Sequence, residues 1–161
     1  MKKIVFLLLL ANIQFVFSQD NIRVSNNCNT ELVVEKSRNT KSADEDGAIF
    51  PLVLTNNSSK QIVYTLSFNQ LKERCDNGTL KSERENSILD ISFLSSNNKN
   101  KLSKNITLNS GQSLKFNALV NAPKNTPYYT WGCIEVQANS NNCKNSTSTI
   151  LKVYVPDPSE E

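Results

Sequence analysis

The sequence predicts an all-β domain, an antiparallel sandwich of two sheets built from about seven or eight short strands. Three observations predict it. From Ile49 onward apolar and polar residues alternate with a period of two, the mark of strands with one buried face. No stretch keeps a 3.6-residue period over several turns, and Asn/Ser-rich segments such as Asn56-Asn57-Ser58-Ser59 break the alternation between strands. A single sheet would leave one alternating apolar set in water, whereas two facing sheets bury both.

In chain order, the first element is a leader. Met1-Lys2-Lys3 precedes an uninterrupted apolar run, Ile4 to Ala11, and Asn12 and Gln14 stop that run before it reaches membrane-spanning length. Residues 1–18 are therefore expected to be a signal peptide cut after Ser18, which exports the chain and leaves no transmembrane anchor. Residues 19–48 supply an N-terminal segment and the first strand or strands, with 31–36 a weak candidate. The sandwich core is expected over 49–155. Phe50 to Thr55 and Gln61 to Asn69 form neighbouring strands, and Ile62, Tyr64, Leu66 and Phe68 share the inner side of the second. Residues 87–94 form a further weak candidate; Leu114, Phe116, Ala118 and Val120 alternate, as do Ile134, Val136 and Ala138, and then Leu151, Val153 and Val155. Arg38 to Gly47, Gln70 to Asn86 and Ser95 to Asn105 are predicted loops. Residues 156–161 form an acidic tail expected to fray.

The same residues exclude several functions. The chain has no histidine, so there is no Ser-His-Asp or Cys-His nucleophile system and no imidazole base. Its four glycines form neither GxGxxG nor GxxxxGK, which removes the usual phosphate-cradling loops. Loss of Lys2 and Lys3 with the leader takes the formal charge from +3 to +1, too little to suggest a nucleic-acid partner. Lys99, Lys101 and Lys104 lie in a polar loop and are most simply a solvated surface. Asp44-Glu45-Asp46-Gly47 lacks the spaced carboxylates of a calcium loop, so neither a metal nor a cofactor is expected. Asn-x-Ser/Thr occurs at Asn56, Asn57, Asn77, Asn105 and Asn145, a pattern that arises readily in so Asn-rich a chain.

Cys28, Cys75, Cys133 and Cys143 are expected to form two structural bridges in an oxidising compartment. Cys133 and Cys143 flank Asn139-Ser140-Asn141-Asn142, a predicted turn, so they are expected to pair and to stiffen a projecting binding loop. By elimination Cys28 pairs with Cys75. Beside Cys133, Tyr128, Tyr129 and Trp131 crowd three aromatic rings into four residues. Such a group either packs on a bridge, with Gly132 marking a bulge that turns Trp131 inward, or forms a recognition surface for a sugar or a protein.

Phe50 to Phe68 resembles the strand-turn-strand unit of immunoglobulin-like modules related to fibronectin type III. Leu108 to Phe116 with Val120 to Pro127, and Ile134 to Ser140, are similar to later passages of such modules in secreted bacterial proteins. The chain departs from them at Tyr128 to Cys133, where a Gly-Thr-Tyr would stand. The cysteines, the polar stretch 70–105 and the leader ending in Phe17-Ser18-Gln19 look like exported proteins of Bacteroidota such as flavobacteria. The resemblance implies an immunoglobulin-like sandwich and no catalytic residues; a fold of this kind does not fix a function. The expected function is non-enzymatic: an exported module, placed in the periplasm, at the outer-membrane surface or outside the cell, that contacts a protein partner in a cell-envelope or surface assembly. The alternatives are a carbohydrate-binding module that meets a polysaccharide through Tyr128, Tyr129 and Trp131, and a small hydrolase or inhibitor.

Overall fold

The computed structural model describes residues 28–43, 46–81, 84–141, 143–144 and 146–160. The leader, its cut after Ser18, Asp44, Glu45 and the sequon at Asn145 lie outside the described residues. Among the described residues nine strands follow one another: β1 (Thr30–Val34), β2 (Thr40–Ser42), β3 (Ala48–Asn56), β4 (Ile62–Gln70), β5 (Asp90–Ser95), β6 (Asn105–Leu108), β7 (Ser113–Asn121), β8 (Thr130–Asn139) and β9 (Thr147–Val155). They form two sheets, β1-β3-β7-β5 and β2-β9-β8-β4-β6. Among the described residues there is no α-helix.

The alternation seen in the sequence is what the sheets bury. Along β3 every second residue from Ala48 to Asn56 is buried, and Ala48, Phe50, Leu52 and Leu54 lie beside Val120, Ala118, Phe116 and Leu114 of β7 in the same sheet. Tyr64 and Leu66 of β4, Ile134 and Val136 of β8, and Leu151 and Val153 of β9 close the core from the second sheet. Thr30 Oγ1 and Tyr64 OH lie 2.9 Å apart and join the sheets with a hydrogen bond. The order β1-β3-β7-β5 on one side and β9-β8-β4 on the other reproduces the A-B-E-D and G-F-C sheets of an immunoglobulin sandwich.

One expected loop contains a strand, and one strand lies where none was assigned. Thr40–Ser42 lies inside predicted loop 38–47, and it runs parallel to β9, an exception to the antiparallel expectation. The cause is upstream. The β1 ladder ends at Val34↔Leu52, and the next residue outward on β3 is Pro51, which has no N–H to donate. There the chain turns through Lys36 and Ser37, both in the left-handed region (φ 57° and 55°), and crosses to the second sheet. The unassigned strand is β6, which starts at the last residue of predicted loop 95–105 and pairs with the first half of β4.

Asn56 ends β3 and organises the loops beside it. Its side chain is fully buried, and Nδ2 donates to Lys60 O, Leu108 O and Asn109 O at 2.8, 3.0 and 3.2 Å. Oδ1 accepts from the Ser58 N–H and hydroxyl. A residue that the sequence marks as a sequon is therefore committed to internal bonds. The tail, expected to fray, forms a 3-10 turn at Pro158–Glu160.

Candidate functional site

The cysteines pair differently from expectation. Cys28 is bonded to Cys143 and Cys75 to Cys133, with Cα separations of 5.3 and 6.2 Å. The expected Cys133–Cys143 bridge fails because β8 runs unbroken from Thr130 to Asn139. Cys133 thus lies six residues below the end of its strand, about 20 Å at the usual strand rise, and a disulfide needs Cα atoms within about 7 Å. The turn that holds Cys143 is instead tied to the segment entering β1.

On β8 the inner positions are Thr130, Gly132, Ile134, Val136 and Ala138, so Trp131 and Cys133 point to the outer face of the second sheet. There is no bulge at Gly132; the register runs on through Trp131↔Tyr154, Gly132↔Val153 and Cys133↔Lys152. Gly132 is needed for space, because a Cβ there would collide with the Leu89 side chain, lying 2.6 Å from its Cγ.

The outer face at Trp131 and Cys133 is covered by an excursion between β4 and β5, through its described residues 71–81 and 84–86. Leu71 N–H donates to Cys133 O at 2.8 Å and Ser87 N–H to Trp131 O at 2.7 Å, so the chain leaves the β4 ladder at one point and rejoins it two residues along β8. Between these points Cys75 is bonded to Cys133, Leu80 O accepts the Trp131 indole N–H at 2.9 Å, and Asp76 O accepts Lys152 Nζ at 2.7 Å. Asn86 closes the neck, with Nδ2 donating to Leu71 O at 2.9 Å. Trp131 is consequently 1% exposed, with its ring 5.3 Å from that of Tyr154. Of the two readings of the aromatic group, Trp131 takes the packed one, against this cover and not in the inter-sheet core.

Tyr128 and Tyr129 are 46% and 45% exposed. Tyr129 sits at φ 58°, a conformation with a cost of order 1 kcal/mol or more for a bulky residue. Its N–H donates to Val155 O at 2.7 Å, and its hydroxyl lies 3.5 Å from Asp157 Oδ2. The Ser159 N–H and hydroxyl bond the Asp157 carboxylate and hold it below its ordinary range. Beside Tyr128 lies a concavity of about 290 Å³ walled by Ala43, Pro123, Val155, Pro156 and Pro158. Two tyrosines are thus presented next to a proline-walled hollow at the end of the sandwich where β7, β8 and β9 meet. The sequence pointed to the tyrosines; the hollow joins the distant β2, β7 and β9 ends and has no local signature.

No family model matches the chain, and no curated protein matches it in sequence. Some solved structures are similar to it. A family 123 glycoside hydrolase from Clostridium perfringens superimposes with a TM-score of 0.50 at 15% identity, over 74% of this chain and 23% of the enzyme. A FixG-related protein from Vibrio parahaemolyticus (TM-score 0.47, 9% identity) aligns over 80% of this chain and 95% of its own. The CooA pilin subunit from enterotoxigenic Escherichia coli (0.44, 14%) aligns over 80% and 99%. Identities this low show the fold alone, and the chain is an all-β, immunoglobulin-like two-sheet sandwich.

Proposed function

We propose that the chain is an exported, non-enzymatic module that works through protein-protein contacts, as an accessory subunit of a cell-envelope or surface assembly, with Tyr128 and Tyr129 in the contact. The observation that carries this reading is the aromatic corner. Two half-exposed tyrosines stand on a turn fixed by the Val155 carbonyl, beside a hollow of about 290 Å³, enough room for a side chain. Tyrosine supplies large contact area at small entropic cost, and rings beside pockets recur as hot spots. Two disulfides support an oxidising compartment and hence export through the leader. The finer likeness to fibronectin type III-related modules of Bacteroidota belongs to the same reading.

The test is in-situ crosslinking in the native envelope followed by recovery of the tagged protein. The wild type is expected to yield one crosslinked partner, lost in Tyr128→Ala/Tyr129→Ala with the β-sheet circular dichroism unchanged. The same partner recovered from the double variant would refute the reading. Polysaccharide binding is the rival supported by the same exposed rings. A glycan array that lights up for the wild type and goes dark for the double variant would favour it.

A further inference from the structure

Phe68 belongs to the inner face of β4, in step with Ile62, Tyr64 and Leu66, which are all buried, yet Phe68 is 41% exposed. The cause is where β6 stops. It accompanies β4 only over Ile62 to Thr65, and its last contribution is Lys104 O, which accepts the Leu66 N–H at 3.1 Å. From there to Gln70, among the described residues, no strand pairs with β4 on the side away from β8. The facing edge belongs to β5. Away from β7, among the described residues, it is met by the arm from Asn100 to Leu102, through the Ser95 N–H to Asn100 O bond, the Leu94–Lys101 bridge and the Leu102 N–H to Phe93 O bond, both hydrogen bonds 2.8 Å long, which leaves the edge at Ile91 open.

Between these two edges the sandwich is open. The cleft measures about 520 Å³, and its floor is Leu66, Phe68, Ile91, Phe93 and Leu102. Phe93 stands edge-to-face between Phe68 and Phe116, at 6.5 and 5.9 Å, so the floor continues into the core. Gln70 Nε2 spans to Leu89 O at 2.6 Å and closes one end, and its buried Oε1 has no hydrogen-bond partner among the described residues. At the mouth stand Lys101 and Lys104, exposed and, among the described residues, without an ion-pair partner. The lysines that the sequence presents as a solvated loop are thus the rim of an apolar cleft.

Each feature specifies the occupant. A backbone edge that loses its partner after Leu66, in line with β6, asks for N–H and C=O groups at strand spacing. An apolar floor asks for apolar side chains at every second position, and unpaired lysines at the rim ask for carboxylates at the positions between. We propose that the cleft between β4 and β5 takes up an extended segment of a partner polypeptide, alternating apolar and acidic residues, as a strand added to β4 beyond the end of β6. The surface is separate from the tyrosine corner, and the inference shares with the preceding reading only the premise that the module acts on polypeptides.

The test uses the mature protein and a labelled peptide of about seven residues alternating glutamate and valine, with a lysine-valine alternation and a peptide of the same glutamate-valine composition in two blocks as comparisons. The alternating acidic peptide is expected to bind and to shift the backbone amides of Phe68 and Ile91. The exposed pair Lys101→Glu/Lys104→Glu is expected to weaken it about tenfold or more and to favour the lysine peptide instead. Phe68→Ala is expected to weaken it similarly, with its fold checked by circular dichroism. Tyr128→Ala leaves the affinity unchanged, so the tyrosine corner and the cleft succeed or fail separately. The proposal is overturned if the alternating and block peptides bind alike, or if charge reversal has no effect. It is equally overturned if the charge-reversed pair instead abolishes self-association, or binding to phosphatidylglycerol vesicles, in a wild type that takes no peptide.

Discussion

Replacing Cys75 and Cys133 together by alanine is expected to uncover Trp131 before the domain unfolds. In the chain-entropy relation a crosslink between residues 58 apart in sequence contributes about 4 kcal/mol. That is a large share of the roughly 5–15 kcal/mol typical of a domain, and not all of it. Without the bridge, the cover from Leu71 to Asn86 is held by a few hydrogen bonds, among them those from Trp131, Lys152 and Asn86. Each contributes a net of about 1 kcal/mol, whereas ordering a backbone residue costs about 1–2 kcal/mol. Leu80, the apolar residue at its tip, is half exposed and adds little. The balance therefore favours release of the cover in native buffer. Trp131 is the single tryptophan of the chain, so its fluorescence reports this one event. The double variant should show red-shifted emission and easier quenching by acrylamide, with β-sheet circular dichroism retained and urea unfolding displaced by about 4 kcal/mol. An unchanged native emission together with a loss under about 1 kcal/mol would refute both the role given to the bridge and the account of the cover.

Two further outcomes follow from the core. Gly132→Ala should destabilise the domain by about 1–3 kcal/mol, because the methyl group meets Leu89 and the Ser87 carbonyl; urea titration measures it, and a neutral result would mean that Leu89 has room to move. Burial raises the Tyr64 hydroxyl above its ordinary 10.0, and the Thr30 hydrogen bond offsets this only in part. The unfolded chain then releases that proton first as the pH rises, so the contribution of Tyr64 is complete below about pH 10 and is lost above it. Urea midpoints taken through alkaline pH should fall for the wild type and fall less for Tyr64→Phe.

The strands that were legible in the sequence are those whose own residues alternate, such as Phe50 to Thr55 and Gln61 to Asn69. Thr40–Ser42 is polar throughout and is a strand only because β9 lies beside it, whereas β6 does alternate, with Ile106 and Leu108 buried, but over four residues, too short a run to mark a strand by itself. Parity along β8 was readable too. If Ile134, Val136 and Ala138 face inward, Trp131 and Cys133 must face outward. What local pattern does not carry is the return of a loop some fifty residues earlier in the chain to cover that outer face. The same holds for the cysteines, whose partners are set by which strand ends meet, and for Phe68, whose place on the inner face was legible while its exposure depends on where β6 stops.

The bond between Cys28 and Cys143 has a mechanical consequence. Tension applied across the described domain, entering at Cys28 and leaving after Val155, passes through the sulfur bridge into the last turn and along β9, a covalent path of about 12 residues or roughly 40 Å. The chain between the two cysteines, 115 positions apart in sequence, is bypassed by this path. Stretched in this way, the oxidised module is a nearly inextensible link whose remaining strands are shielded from force, and cleavage of one bond would convert it into an extensible spring.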